Sequence, residues 1–103
     1  FAVIATSPNE LAEIYALERG ALRKLTRHND ALLAGLQLAT TEDFESKSKD
    51  GTDVHGLIVK PASYKPGTKY PTLLLIHGGP NGQDEHAFSF DREFLAANED
   101  GEG

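Results

Sequence analysis

Cysteine is missing from the 103 residues, which excludes disulfides and thiolate metal centres. Methionine is missing too, and a sequence without an initiator reads as an excerpt of something longer. Basic residues are in deficit, ten Lys and Arg against sixteen Asp and Glu, for a net charge of -6. A nucleic-acid backbone calls for a basic surface, so no nucleic-acid partner is expected. No apolar run approaches the roughly 20 residues that cross a bilayer. Residues 1–6 lack the basic stretch of a secretory leader. No membrane partner is therefore expected, and the location stays open between cytoplasm and periplasm. Nor is there an internal repeat. What remains, 39% hydrophobic and 25% charged, is the composition of an ordinary globular protein.

Residues 1–6 are apolar and partly β-branched, as in a short strand. After them the local rules conflict. Ser7-Pro8-Asn9-Glu10 has the form of a capping box with proline in the first turn, and Leu11, Ile14, Tyr15 and Leu17 have helical spacing. The rival reading puts a turn at residues 7–9, a strand at 14–17, a hairpin turn at Gly20 and a returning strand at 22–26. Periodicity alone favours the helix slightly. Residues 31–39 are apolar and ambiguous between helix and strand. From Thr41 the pattern is plainer. Two strand-like runs flank Asp50-Gly51, the second spanning residues 54–60, and predict a β-hairpin. Pro61 ends it, and residues 64–69 form a loop.

Residues 72–76, Thr-Leu-Leu-Leu-Ile, are an unbroken apolar run between Pro71 and a pair of glycines. Such a run suits a strand covered on both faces in a parallel sheet. Gly78-Gly79-Pro80-Asn81-Gly82 then makes a loop. Phe90, Phe94 and Ala97 share a helical face, with Ser89 as N-cap and Asn98 as the stop. The chemistry sits between strand and helix, at His77-Gly78-Gly79-Pro80. Acyl transfer passes through a tetrahedral intermediate with a negatively charged oxygen. Each fixed donor aimed at that oxygen lowers the barrier by about 3–4 kcal/mol. Glycine amides after a strand can approach it unobstructed. Pro80 has no N–H, so Gly79 is the first candidate donor and Gly78 the second.

The run from Tyr70 to Pro80 resembles the start of the catalytic domain in the prolyl oligopeptidase family, in its acylaminoacyl-peptidase and dipeptidyl-peptidase branches. Ser46-Lys47-Ser48-Lys49-Asp50-Gly51 with Val54-His55-Gly56-Leu57-Ile58-Val59-Lys60-Pro61 resembles the hairpin before that loop. Leu25-Thr26, with Asn29, resembles the end of the family's β-propeller. The resemblance implies an α/β fold: the N-terminal part of an α/β-hydrolase domain (β-hairpin, buried strand, oxyanion loop, helix) preceded by the last propeller strands. It implies propeller for residues 1–35 and truncated hydrolase domain for 36–103, incomplete as a stand-alone fold. It makes 1–6, 14–17 and 22–26 propeller strands, against the helix that spacing favours from Leu11 to Leu17. It also implies that His77 shapes the loop and is not the base of a triad.

The family's triad runs Ser, Asp, His, with the serine in Gly-x-Ser-x-Gly. None of Ser7, Ser46, Ser48, Ser63 and Ser89 has glycine two residues away on both sides. Alone, the chain is expected to be inactive. In an intact enzyme the partners would be a peptide substrate and the rest of the hydrolase domain. No cofactor and no metal are expected, since His77, Asp84, Glu85 and His86 have no known ligand spacing. Glu42, Asp43 and Glu45 read as a solvated run, and the tyrosines as packing residues. The alternatives are a segment of an esterase or lipase and a non-catalytic truncated product. Glu99 to Gly103 depart from the family pattern. A covered strand without partners further predicts that the isolated chain is marginal or self-associating.

Overall fold

The computed structural model describes residues 1–98. Their order is β1 (Ala2–Ser7), β2 (Glu10–Glu18), β3 (Ala21–Lys24), α1 (Asp30–Ala34), β4 (Thr40–Lys47), β5 (Asp53–Lys60) and α2 (Phe90–Ala97). The first three strands form an antiparallel sheet in the order β1-β2-β3, and β4 and β5 form a separate hairpin. The described residues are thus β-rich, with little helix. The divergent acidic tail expected at residues 99–103 lies outside them.

Helical spacing from Leu11 to Leu17 does not prevail. Glu10–Glu18 is the central strand of its sheet, so both of its backbone edges find partners. Ser7 pairs with Glu10, which puts Pro8 and Asn9 in a two-residue turn. At the far end Glu18 pairs with Ala21, and Arg19 (φ 51) and Gly20 (φ 79) take the positive φ values of a type I′ hairpin turn. Turns this tight commit the chain to strands whatever the spacing of Ile14 and Leu17, both of which remain exposed.

Side chains join the next segment to this sheet. Glu13, only 3% exposed, accepts from the Thr26 hydroxyl and from the Asn29 backbone (3.0 Å) and side chain (3.2 Å). The Thr26 bond is the first cause holding its carboxyl below the usual glutamate range. Lys24 reaches Asp30 at 2.8 Å and Glu10 as well, and the two raise its pKa. The ambiguous stretch 31–39 resolves into the short α1, ended at Gly35, followed by residues in neither helix nor strand.

The predicted hairpin is present, and β4 starts one residue before Thr41. It runs in register from Thr40–Lys60 to Lys47–Asp53. Gly51 closes the turn at φ 87, its amide donating to the Ser48 carbonyl at 3.0 Å. Asp50 accepts from the Ser48 hydroxyl and from the Thr52 amide (3.0 Å), which holds its pKa down to about 2.

The buried strand expected at 72–76 is not formed. These residues belong to no sheet, and Leu74 is 79% and Ile76 84% exposed. A strand is defined by its ladder, and no described segment lies alongside to supply one. Among the described residues, only Ala16, Ala39 and Glu13 are buried.

Candidate functional site

The loop at 77–82 follows this unpaired apolar segment. Tyr70 sets the entry, with its hydroxyl accepting the Lys65 amide at 2.9 Å and its ring 5.4 Å from that of Tyr64. Lys60 lies over the Tyr64 ring at 5.0 Å, joining this corner to the end of β5. Two of the three tyrosines therefore pack.

Beyond Ile76, the imidazole of His77 donates from Nδ1 to the Gly78 carbonyl at 2.9 Å. The ring is thereby tied to the backbone of its own loop. Gly78 and Gly79 are exposed, and the space where a Cβ would stand is open at both. Their amides donate to no group among the described residues. The Gly79–Pro80 peptide is cis. Gly82 folds back on the start of the loop, where a Cβ on it would lie 2.8 Å from the Gly78 carbonyl oxygen. His77, Gly78 and Gly79 thus share one exposed turn, with two unspent N–H groups.

Other residues hold the far side of the loop. Ser89 caps α2 as its sequence predicts, its hydroxyl accepting from the Arg92 amide at 3.4 Å, and Asn98 stands at the C-cap. The Arg92 guanidinium donates to the carbonyls of Glu85 and Ala87, each at 3.2 Å. His86 Nε2 meets Asp43 Oδ1 of β4 at 2.8 Å. The run 42–45, read from the sequence as simply solvated, thus has specific partners: Asp43 pairs with His86, and Glu42 with Lys60 at 2.6 Å. Arg92, Asp43 and His86 were not legible as loop supports. Asp43 and His86 stand 43 positions apart, and no local pattern joins them. Gly82 carried a signal, a third glycine just past Gly-Gly-Pro.

Among the described residues no group of three or more His, Asp or Glu side chains is gathered as for a metal ion. Nor is any helix of the described residues long and apolar enough to cross a membrane.

No family model matches the chain. Individual proteins do. It is 32% identical over 98 residues to the uncharacterized peptidase YuxL of Bacillus subtilis, covering 94% of this chain and 15% of that protein. Human dipeptidyl peptidase 8 is 45% identical over 42 residues, 41% of this chain and 5% of its own length. Dipeptidyl-peptidase 5 of Aspergillus fumigatus is 33% identical over 67 residues, 63% of this chain and 9% of its own. The chain therefore spans 15% or less of the length of these curated relatives.

Proposed function

We propose, from the premise that this chain is a relative of the dipeptidyl peptidases of the prolyl oligopeptidase family, that it is a segment of a serine peptidase and supplies its oxyanion-hole loop. One observation carries the proposal. Gly78 and Gly79 hold out two amides without a partner among the described residues, on an open turn directly after an apolar segment in no sheet. In this reading residues 1–35 are the last strands of a propeller and residues 36–103 open the hydrolase domain. Leu73 to Ile76 become an inner strand of its sheet.

The chemistry follows from the donors. A serine from the remainder of the enzyme attacks the peptide carbonyl, and the carbonyl oxygen takes up negative charge. The Gly79 N–H, with Gly78 beside it, lies where that charge forms and contributes about 3–4 kcal/mol in a dry site. His77 has its Nδ1 proton committed to the Gly78 carbonyl. That bond suits a scaffold of the turn better than a mobile proton carrier. The nucleophile, acid and base belong to sequence outside this chain. The relatives' names make short peptides that release a dipeptide the substrates to try first.

The test uses the longer polypeptide that carries this segment. It should be labelled by a fluorophosphonate and should turn over dipeptidyl-p-nitroanilides. Gly79→Pro, which deletes one donor, should lower kcat by about 10²–10³. Unchanged turnover in that variant would remove Gly79 from the role. Turnover of simple esters but of no peptide would move the segment to an esterase.

A further inference from the structure

We propose that Asn9, the Ala39 peptide and Glu93 form a relay that positions the glycine loop from the β1–β2 turn, with Asn9 and Glu93 as positioning residues. The proposal rests on the oxyanion reading of that loop. Ala39 is 4% exposed and lies between α1 and β4, outside any ladder that would satisfy its peptide groups. Both are satisfied by side chains instead. Its carbonyl accepts from Asn9 Nδ2 at 2.9 Å, and its amide donates to Glu93 Oε2 at 2.7 Å. The partners are 30 and 54 positions away in sequence, one in the β1–β2 turn and the other in α2. A buried peptide group left unpaired is costly, so the three elements are held together as a set.

From Glu93 the connection runs in two steps to residues 85–88, the segment that follows the loop. Arg92, the preceding residue of α2, holds the Glu85 and Ala87 carbonyls with its guanidinium. A second strut comes from the same edge of the first sheet, where Thr6 Oγ1 accepts the Phe88 amide at 3.4 Å. A shift of α2 therefore carries residues 85–88 with it, and the glycine turn is joined to them through Gln83 and Asp84. Displacing a catalytic donor by about 1 Å costs on the order of a hundredfold in rate. Partial loosening should cost less, and should appear in kcat before KM, because the donor acts on the transition state.

In the full-length polypeptide, Glu93→Ala should lower kcat on a dipeptidyl-p-nitroanilide about tenfold, with KM within about twofold. Glu93→Gln keeps an oxygen that accepts the Ala39 amide and should recover most of that loss. Asn9→Ala should lower kcat in the same sense and add little to Glu93→Ala, since both act through Ala39. Unchanged kcat in Glu93→Ala and Asn9→Ala overturns the relay, as does a loss in Glu93→Gln equal to that in Glu93→Ala. If Glu93→Ala does not fold, Asn9→Ala decides alone: a lower kcat at an unchanged Tm supports the relay, and an unchanged kcat overturns it. A wild type without peptidase turnover counts against the oxyanion reading instead. The relay is then decided by hydrogen exchange at the Ala39 amide, which must accelerate in Asn9→Ala, and unaltered protection rejects it.

Discussion

At Gly82 there is no room for a methyl group. The obstructing atom is the Gly78 carbonyl oxygen, 2.8 Å from where a Cβ would stand, and backbone cannot rotate aside as a side chain does. Gly82→Ala should therefore push the turn open and displace the donors at Gly78 and Gly79. On the oxyanion reading proposed above, kcat of the longer polypeptide should fall by about tenfold or more with little change in Tm. Kinetics indistinguishable from wild type would show that the close approach is not needed. Asp50 makes a prediction of a different kind. Its pKa is held down to about 2, first by the Ser48 hydroxyl and then by the Thr52 amide, from the usual aspartate value of 3.8. A lowered carboxyl stabilises the folded turn above its unfolded value, and that contribution disappears as pH falls from about 4 towards about 2. Protection of the Thr52 amide should fade over that interval, and Asp50→Asn should abolish the dependence. These residues also mark what single positions reveal. Ser89 as a cap and Gly51 as a turn residue were legible because their partners lie three residues away. The Asp43–His86 pair depends on how β4 meets the loop, which no local pattern encodes.

Among the elements, the hairpins followed their turns. Asp50-Gly51 fixed one, and Arg19-Gly20 fixed another despite the helical spacing before it. Apolar spacing failed at Ile14 and Leu17 because it presumes a core for those side chains to face, and both are exposed. The resemblance of Leu25-Thr26 to the end of a propeller pointed to strands where spacing pointed to helix. The apolar run at 72–76 has the composition of a covered strand but none of its ladder. For α2 the sequence and the structure agree from cap to cap. Ser89→Ala removes the acceptor of the Arg92 amide and should destabilise the helix by about 1 kcal/mol. Faster amide exchange confined to the first turn of α2 is the expected signature. Equal exchange would mean that Arg92 and its carbonyl partners, not the cap, hold the helix start.

Across the whole molecule, surface outweighs interior. The accessible area is 8388 Å², against about 5,700 Å² for a compact protein of this size. The radius of gyration, 16.5 Å, exceeds the roughly 13 Å expected of a globular domain of this length. Leu73 to Ile76, Phe90, Phe94 and the hairpin's Phe44, Val54 and Ile58 are all open. Prepared alone, the 103-residue chain should associate through the exposed apolar segment at 72–76. Sedimentation should show oligomers, and Leu74→Lys should shift them towards monomer. A soluble monomer with a sharp, cooperative melt would contradict this account of the exposed surface.

That same apolar segment sets an order of events. The β1–β2, β2–β3 and β4–β5 pairs join neighbours in sequence across short turns. Hairpins of this kind form in about 1–10 μs. Among the described residues, Leu73 to Ile76 have no strand to pair with. On the proposed reading, in which this segment is an inner strand of a larger sheet, the hairpins of a polypeptide made from its N-terminus onward would be finished while it still stood bare. The loop at 77–82 follows that segment, so its amides would come to rest only after the segment was paired. If the loop is the oxyanion loop proposed above, competence for chemistry would then arrive last, with the closing of that sheet.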